Sequence, residues 1–457
     1  MFKVGEILKA TGEKLIQGNK DCHFLGISID SRTIRPGELF LAIKGNNFDG
    51  HNFINEAIRK SARGIVISRN KSFSAAKNLV IIRVKDTTKA LGDIARYNRE
   101  RFNIPLVAIT GSNGKTTTKE MLAFVLEKRF KVLKAMATFN NQIGVPLTLL
   151  KLRRSHEIVV LELGTNHFGE IDYLSKICQP NIAIITNIAP SHLEFFKNLN
   201  NVFKEKYSLI RNLKQEKVAI VNGDDRYLNR LNQYPNPKMV IKFGINNKSD
   251  FKAENIELIN EKIRFYLNGK ISIDLNTIAK HNVYNCLAAI ACCKYFHLDY
   301  NCIQDSLKEF SFPSGRLEVK NFKNIKVIDD TYNANPLSFK NAIDALSSLD
   351  SLGRKVLIFA DMLELGCDAD KLHFLSGKYA ADSGIDILIG VGNLTKHFLS
   401  GARKAGMSKK SIFHFKSSQA AKREISKIIR AKDLVLVKGS RLMQMEKVVQ
   451  ALKSSGV

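Results

Sequence analysis

The chain has 457 residues, of which 44% are hydrophobic and 25% charged, a balance typical of folded globular proteins. This composition excludes a disordered chain, a collagen-like fibre and a small disulfide-stapled scaffold, and the length suggests about three domains. The formal net charge of +28 suits nucleic acid, a membrane surface or small anionic substrates, although a lysine-rich proteome explains it most simply because the lysines are scattered.

The cysteines and the hydropathy pattern indicate the compartment. The chain has 7 cysteines, an odd number, and they form neither a CxxC pair nor a Cys/His zinc spacing. We therefore expect free thiols in a reducing compartment. The N-terminal residues lack a signal-peptide core, and no apolar run reaches the roughly 18 residues of a membrane-spanning helix. The sequence predicts a cytoplasmic protein that does not insert into a membrane.

The predicted elements alternate between strand and helix along most of the chain. Short strands are expected at 39–45, 64–68 and 80–84, and a helix at 85–102. The next segments are strand 106–110, helix 115–130, and strands at 158–164, 182–189 and 218–225. Residues 240–275 are strand-like, and a buried helix is expected around 282–296. After a Pro/Gly boundary at 312–319, strands are expected at 326–330, 355–361, 387–392 and 434–440.

This alternation predicts an α/β protein of three domains. The first, residues 1–84, is a small α/β domain. The second, residues 85–312, carries a phosphate loop on a doubly wound, mostly parallel sheet. The third, residues 313–457, is a Rossmann-like α/β domain.

A glycine loop joins the strand at 106–110 to the following helix, in the sequence LVAITGSNGKTTTKEM. Gly111 and Gly114 allow tight turns whose N–H groups can face phosphate oxygens, and the helix N-terminus adds its positive dipole end. In the standard motif the lysine reaches the β- and γ-phosphates and the next hydroxyl binds Mg²⁺, which are the roles expected of Lys115 and Thr116. The standard spacing would also require glycine at position 109, where Ile109 stands.

Polar residues follow two further predicted strands. Glu162 closes the strand at 158–164, and His192 follows the strand at 182–189. The carboxyl ends of parallel strands share one edge of a sheet, where ligands collect. A carboxylate and the Thr116 hydroxyl suit Mg²⁺, but a capping glutamate and a surface histidine are equally compatible with these residues. Lys206 lies in a predicted helix that, from its residues alone, presents a solvated lysine face.

Taken together, the motifs resemble the Mur ligases over nearly the whole chain. The matching segments, in order, are ISIDSRTIRPGELFLAIKGNNFDGH, TGSNGKTTTKEM, NNQIGVPLTLL, ELGTNHFGEI, HNVYNCLAA, DDTYNANP, DMLELG and VKGSR. The spacing of the phosphate loop is also the spacing that this family uses.

The resemblance implies roles for individual residues. Binding of the UDP-sugar end of the substrate is expected at Ser28, Asp30, Ser31, Arg32, Phe48 and Asp49, and of its muramoyl part near Asn140 and Asn141. ATP is expected at Gly111, Ser112, Asn113, Gly114, Lys115, Thr116, Thr117, Asn282, Asn285, Arg316, Asp330 and Asn333. Two Mg²⁺ ions are expected at Thr116, Glu162, His192 and Lys206, the last as a carbamylated lysine. The catalytic set is then Lys115, Glu162, His192, Lys206 and Arg316.

The implied reaction is ATP-dependent amide-bond formation in peptidoglycan precursor synthesis. The terminal carboxylate of UDP-N-acetylmuramoyl-tripeptide becomes an acyl phosphate, which the amine of D-alanyl-D-alanine attacks. DMLELG and the segment from Lys438 to Arg441 are expected on the side of the amine substrate. We further expect a monomer without a nucleic-acid partner. Because separate domains would carry the three substrates, closure of the last domain onto the central one is predicted.

Four other interpretations are less favoured. A catalytically silent binding protein is one of them, and it is disfavoured because every presumed phosphate and metal position carries a competent residue. A sibling ligase that adds the third amino acid would carry a DNPR motif, which this chain lacks. Folylpolyglutamate synthases share the second and third domains without the uridine-nucleotide module. A nucleic-acid-dependent ATPase would explain the phosphate loop and the basic charge, and it would show a strongly salt-dependent affinity for DNA or RNA.

Overall fold

The computed structural model describes residues 2–45, 48–69, 78–214, 217–234 and 237–454, folded around four β-sheets. Within these ranges no helix is long and apolar enough to cross a membrane. Five short 3₁₀ helices accompany the α-helices and strands, at Gly50–Phe53, Leu228–Gln233, Gly366–Asp368, Lys409–Ser411 and Arg441–Met443.

The N-terminal part is a small α/β layer. Its elements are β1 (Phe2–Lys3), α1 (Val4–Thr11), β2 (Lys14–Gln17), β3 (His23–Phe24), β4 (Ile27–Ser28), β5 (Leu39–Leu41), α2 (Ile54–Arg59), β6 (Gly64–Ile67) and β7 (Val80–Arg83). The main sheet has the order β2-β7-β6-β5-β4, in which β2 is antiparallel and the others are parallel. Strands β5 and β6 are buried along their whole length, as continuous apolar runs between two layers are.

Helix α3 (Thr87–Glu100) connects this layer to the next one. The Asp86 carboxylate caps it by accepting hydrogen bonds from two N–H groups of its first turn. Leu91 and Ile94 pack into the N-terminal core, while Ala95 packs into the central core. The predicted boundary after residue 84 therefore precedes a helix that contributes to both cores.

The central part contains a nine-stranded sheet. Its elements are β8 (Leu106–Thr110), α4 (Lys115–Leu126), β9 (Val132–Lys134), α5 (Gly144–Leu149), β10 (Ile158–Glu162), α6 (Glu170–Cys178), β11 (Ile182–Ile185), α7 (Leu193–Phe196), α8 (Leu199–Arg211), β12 (Val218–Asn222), β13 (Met239–Gly244), β14 (Phe251–Ile259), β15 (Lys262–Leu267), β16 (Ile271–Leu275), α9 (Asn282–Tyr295) and α10 (Tyr300–Glu309). The order is β16-β15-β14-β13-β12-β11-β8-β10-β9, parallel from β9 to β14 and antiparallel beyond.

Alternate residues of the central strands enter two separate cores. On β8, Val107 and Ile109 pack with α4 and α9 on one face, whereas Leu106 and Ala108 pack with α6 and α8 on the other. Burial on both faces explains why the strand is apolar throughout. Because β8, β10 and β11 run parallel, the polar loops that follow them lie at one shared edge of the sheet.

The last part is a Rossmann-like layer. Its elements are β17 (Glu318–Phe322), β18 (Ile325–Asp330), α11 (Pro336–Ser348), β19 (Lys355–Ala360), α12 (Ala369–Asp382), β20 (Ile387–Val391), α13 (Thr395–Lys404), β21 (Ile412–Phe415), α14 (Ser418–Ile428), β22 (Leu434–Lys438) and α15 (Glu446–Ser454). The sheet order is β17-β18-β22-β19-β20-β21, with β17 antiparallel and the rest parallel.

The predicted fold class is confirmed, and the differences lie at the ends of elements. The strand expected at 182–189 ends at Ile185. Apolar residues recur beyond it at Ile188 and Ala189, but Ile188 N donates a hydrogen bond to the Asp225 carboxylate outside the sheet. Likewise, the strand expected at 158–164 ends at Glu162. Such ends depend on tertiary contacts, which hydrophobic periodicity does not record.

Candidate active site

A cleft of about 1000 Å³ lies between the central and last parts of the chain. Fifteen of the residues expected to act line it: Ser112, Asn113, Gly114, Lys115, Thr116, Thr117, Asn140, Asn141, Glu162, His192, Asn282, Asn285, Arg316, Asp330 and Asn333. Gly111, which is part of the loop, and the buried Lys206 are not among the lining residues. The six residues expected at the UDP-sugar end belong to the N-terminal part and do not line this cleft.

Two glycines shape the loop between β8 and α4. Gly111 has φ +149° and Gly114 has φ +83°. A Cβ on Gly111 would lie 1.9 Å from Thr186 Oγ1, and one on Gly114 would lie 2.2 Å from Asn285 Oδ1. Only glycine satisfies both the backbone angle and the space at these positions. The loop therefore packs closely against its neighbours, while the N–H groups in the first turn of α4 lack helical acceptors and can face an anion.

Neighbouring loops hold the glycine loop in place. Ser112 N donates to Asn187 O and Asn113 N donates to Asn187 Oδ1, both at 3.0 Å. Lys115 Nζ donates to Gly111 O at 2.8 Å, so its ammonium group folds back over the loop. Burial lowers the pKa of Lys115, while the nearby Glu162 charge opposes that shift. This arrangement matches an anion site at a helix N-terminus that carries an added cation.

Glu162, at the end of β10, is the centre of a buried polar cluster. Its Oε2 accepts a hydrogen bond from Thr116 Oγ1 at 2.7 Å, and its Oε1 accepts one from Asn140 Nδ2 at 2.7 Å. Arg316 Nη2 donates to Thr116 Oγ1 at 3.0 Å, and its guanidinium lies 4.0 Å from the centre of the Tyr332 ring. A carboxylate in contact with a hydroxyl is a hard oxygen set of the kind that Mg²⁺ accepts.

The protein ligands for such an ion are few. Across the described ranges, no group of three His, Cys, Asp or Glu residues is close enough to hold a metal. Catalytic Mg²⁺ typically binds one or two carboxylates and completes its shell with substrate phosphates and water. The Thr116–Glu162 pair beside the glycine loop fits that pattern.

Lys206, on α8, is fully buried, with 2% of its surface exposed. Its amine has no hydrogen bond or ion pair within the part of the chain that the structure describes, whereas the neighbouring Glu205 carboxylate accepts from Gly169 N and Ile171 N at 2.8 Å. Burial, together with the positive charge of Lys115, lowers the pKa of Lys206 to about 7. The solvated lysine face that the residues suggested is therefore wrong for Lys206.

His192 forms a contact between the central and last parts. Its Nδ1 is hydrogen-bonded to Glu364 Oε2, which belongs to the loop after β19. The hydrogen bond with His192 holds the pKa of Glu364 below its ordinary value, so the ionised carboxylate accepts a hydrogen bond from Nδ1–H. Both residues adopt left-handed backbone angles, φ 52° and φ 61°. Sequence reasoning found His192 but assigned Glu364 no individual role.

The start of α9 supplies two buried amides. Asn285 Nδ2 donates to Asn282 Oδ1 at 2.9 Å, and Asn285 Oδ1 accepts from Thr118 Oγ1 at 3.3 Å. The preceding His281 also lines the cleft, and its buried Nδ1 has no hydrogen-bond partner within the described ranges. Burial and the charges of Lys438 and Arg316 lower the pKa of His281 to about 4. Its position next to Asn282 in HNVYN was the available signal, which sequence reasoning did not use.

The last part contributes a buried ion pair and an amide bridge. Lys438 Nζ donates to Asp330 Oδ2 at 2.5 Å and to Asn333 O at 3.0 Å. Burial raises the pKa of Asp330, and the charge of Lys438 opposes that rise. Asn335 Nδ2 donates to Asn113 Oδ1 at 2.7 Å, with a reciprocal bond of 3.2 Å. The glycine loop is thus joined directly to the last part through Asn335, a residue that the sequence did not single out.

The N-terminal residues form a separate polar group. Arg32 forms an ion pair with Asp30 and lowers the pKa of that carboxyl to about 2. Ser31 Oγ donates to Glu56 Oε2 at 2.8 Å, and Ser28 Oγ donates to Asp30 O at 3.1 Å. Two further expected residues belong to the same part of the chain: the Asp49 carboxylate caps a 3₁₀ helix, and Phe48 is 75% exposed. These residues therefore lie outside the cleft that contains the glycine loop.

Family models match three successive segments of the chain. They are described as "Mur ligase family, catalytic domain" at residues 23–99, "Mur ligase middle domain" at 109–293 and "Mur ligase, glutamate ligase domain" at 315–441. The three segments follow the order of the N-terminal, central and last parts.

Relatives match over the full length. The UDP-N-acetylmuramoyl-tripeptide–D-alanyl-D-alanine ligase of Haemophilus influenzae is 36% identical over 99% of this chain and 97% of its own. A crystal structure of MurF from Acinetobacter baumannii has a TM-score of 0.91 at 31% identity, covering 99% of this chain and 98% of that one. MurF ligase from Thermotoga maritima in complex with ADP has a TM-score of 0.82 at 26% identity, with 94% and 97% covered.

Proposed function

The chain belongs to the Mur ligase family, and from that premise we propose that it joins D-alanyl-D-alanine to UDP-N-acetylmuramoyl-tripeptide, with conversion of ATP to ADP and phosphate. The observation that carries the proposal is the cleft itself. Lys115, Thr116 and Glu162 from the central part meet Asp330 and Lys438 from the last part there. The full-length similarity to ligases of that name supports this substrate pair over the sibling that adds the third amino acid.

ATP binding is the best supported part of the proposal, because the similar Thermotoga maritima ligase was solved with ADP. The triphosphate is proposed to lie on the glycine loop, where the N–H groups at the start of α4 and the Lys115 ammonium favour anions. Arg316 approaches the same point from the turn between the central and last parts. The purine is proposed near the buried amides of Asn282 and Asn285.

Thr116, Glu162 and His192 are proposed to hold Mg²⁺, together with a modified Lys206. When bound, Mg²⁺ would neutralise phosphate charge and polarise a phosphoryl oxygen. The chain's own part is to fix the oxygen donors in place: Asn140 and Thr116 each hold one oxygen of the Glu162 carboxylate.

Lys206 is proposed to be carbamylated. Its neutral amine would add to CO₂, forming an N–C bond and releasing one proton, and the product is a carbamate anion. The lowered pKa of about 7 leaves a large neutral fraction near pH 7, and the free amine has no competing partner within the described ranges. The carbamate would replace a buried cation beside Lys115 with an anion, which removes an unfavourable pair of like charges.

The reaction needs two anions to approach each other. A terminal carboxylate oxygen of the tripeptide forms a bond to the γ-phosphorus as the bond from that phosphorus to the β–γ bridging oxygen breaks, which releases ADP. The neutral amine of D-alanyl-D-alanine then attacks the acyl carbon, loses its proton, and phosphate leaves. Lys115 and Arg316 are proposed to offset the negative charge, so that positioning and electrostatics supply most of the catalysis.

Two further expectations remain proposals. We propose a monomer, and sedimentation at several concentrations tests it. The cytoplasm, where ATP and UDP-sugars are available, is the proposed compartment.

The proposed function is tested by phosphate release from ATP and Mg²⁺ in the presence of UDP-N-acetylmuramoyl-tripeptide. We expect release that requires both this substrate and D-alanyl-D-alanine. Release with UDP-N-acetylmuramoyl-dipeptide and the amino acid that becomes the third residue would favour the sibling ligase. Release that requires only DNA or RNA would contradict the proposal and favour the ATPase.

A further inference from the structure

The contact between His192 and Glu364 joins the central and last parts of the chain. His192 follows β11 of the central sheet, and Glu364 follows β19 of the last sheet, 172 residues later. The backbones also meet there, since Glu194 N donates to Glu364 O at 3.1 Å. A Cβ on Gly366 would lie 3.1 Å from Glu194 Cα, so the two loops are closely packed.

The loop that carries Glu364 is held firmly from within the last part. Met362 N donates to the buried His373 Nε2 at 2.9 Å, and Leu363 N donates to Ser440 Oγ at 2.9 Å. Asp361 accepts from Thr395 N at 2.9 Å. Glu364, the residue after Leu363, has φ 61°, a strained angle for a non-glycine residue. The last part therefore presents this carboxylate in one defined place.

The Glu364 and His192 side chains have few hydrogen-bond partners besides each other among the residues that the structure describes. Within the described ranges, the Glu364 carboxylate has His192 as its one hydrogen-bond partner, and the other ring nitrogen of His192, Nε2, has none. An ionised carboxylate can only accept, so Nδ1 carries a proton, and in the neutral imidazole Nε2 then presents a lone pair. Histidines that ligate metals commonly donate their other N–H to a carboxylate, which fixes the tautomer and the ring orientation.

We propose that Glu364 is a positioning residue that sets the tautomer and orientation of His192 for Mg²⁺, and that it does so only when the last part is docked. The inference rests on the proposed function, because that function places Mg²⁺ at His192. A metal ligand of the central part is then oriented by a carboxylate of the last part. Phosphoryl transfer is thereby tied to docking, and ATP is protected while the last part is displaced.

The test is Mn²⁺ binding to the full chain in the presence of ADP, measured as free Mn²⁺ by electron paramagnetic resonance. The variants are Glu364→Gln, which keeps the size and loses the charge, and Glu364→Ala. Asp368→Asn is the matched control, because it removes an exposed carboxylate four residues away that has no side-chain hydrogen bond to the described residues. Circular dichroism and melting temperature establish that each variant is folded.

We expect the Mn²⁺ dissociation constant to rise about tenfold or more in both Glu364 variants and to stay unchanged in Asp368→Asn. Unchanged Mn²⁺ affinity in Glu364→Gln would overturn the proposal. So would an equal rise in the Asp368 control.

A second readout separates a positioning role from a simple latch between the two parts. If Glu364 acts through the metal, the Mg²⁺ concentration that gives half-maximal activity rises in Glu364→Gln. A lowered kcat with unchanged Mg²⁺ dependence would overturn the proposal and indicate a latch. The two hypotheses fail separately: wild-type protein that forms no product with both substrates refutes the proposed reaction, whereas the Mn²⁺ titration requires no turnover.

Discussion

Replacing Gly114 by alanine tests the account of the glycine loop most sharply. Gly114 has φ +83°, an angle that costs an L-residue about 1–2 kcal/mol. The added Cβ would also lie 2.2 Å from Asn285 Oδ1, well inside the roughly 3.2 Å that such contacts tolerate, so loop and amide must separate by about 1 Å. A misplacement of this size costs catalysis on the order of 100-fold.

Gly169→Ala is the matched control. Gly169 also immediately precedes a helix, α6, and has φ +85°, but a Cβ there meets nothing within 4 Å. Both variants carry the same backbone cost, and only Gly114→Ala carries the clash. The assays are ADP affinity by calorimetry and product formation at saturating substrates.

We expect Gly114→Ala to weaken ADP binding at least tenfold, or about 1.4 kcal/mol, and to lower kcat by on the order of 100-fold. Gly169→Ala should bind ADP as the wild type does. Wild-type ADP affinity in Gly114→Ala, or equal losses in both variants, would refute the assignment of this loop to the nucleotide phosphates.

Three further predictions concern Lys206, His281 and Arg316. Lys206→Ala should lose activity and regain part of it with short carboxylic acids, because they can replace the carbamate; unchanged activity in this variant would exclude the modification. The folded-state pKa of His281, about 4, lies below the ordinary value of 6.5, so its neutral form is favoured by folding and its contribution to stability is lost as the pH falls from about 6.5 to 4. His281→Gln should therefore flatten the melting-temperature profile in that window, by an amount equivalent to at most about 3 kcal/mol, and an unchanged difference between the two proteins across the window would contradict this. Arg316→Lys retains the charge but loses the planar guanidinium that both reaches Thr116 and stacks on Tyr332. We therefore expect kcat to fall about tenfold or more while ADP affinity changes less. A wild-type kcat would remove Arg316 from the proposed machinery.

The parts of the site that sequence alone predicted are those encoded locally. The glycine loop is contiguous, and Glu162 and His192 follow strands whose parallel arrangement brings their ends to one edge. Strand–helix alternation likewise predicted the layers of the central and last sheets. These inferences need only the periods of strand and helix and the geometry of parallel sheets.

The remaining contacts join residues far apart in the chain. The bridge between Asn113 and Asn335 spans 222 residues, and that between His192 and Glu364 spans 172. Hydrophobic periodicity carries no information about how two such layers dock. Lys206 shows the same limit within one layer, since helical spacing alone could not distinguish its buried amine from the exposed Lys204 two positions earlier.

The most direct measurement of the central claim follows an oxygen atom. UDP-N-acetylmuramoyl-tripeptide with an ¹⁸O-labelled terminal carboxylate is incubated with the protein, ATP, Mg²⁺ and D-alanyl-D-alanine, and the phosphate and peptide products are analysed by mass spectrometry. An acyl-phosphate ligase transfers one carboxylate oxygen to each phosphate as the UDP-muramoyl-pentapeptide forms, so we expect one ¹⁸O per phosphate. Unlabelled phosphate, or phosphate that forms without the pentapeptide, would contradict the account.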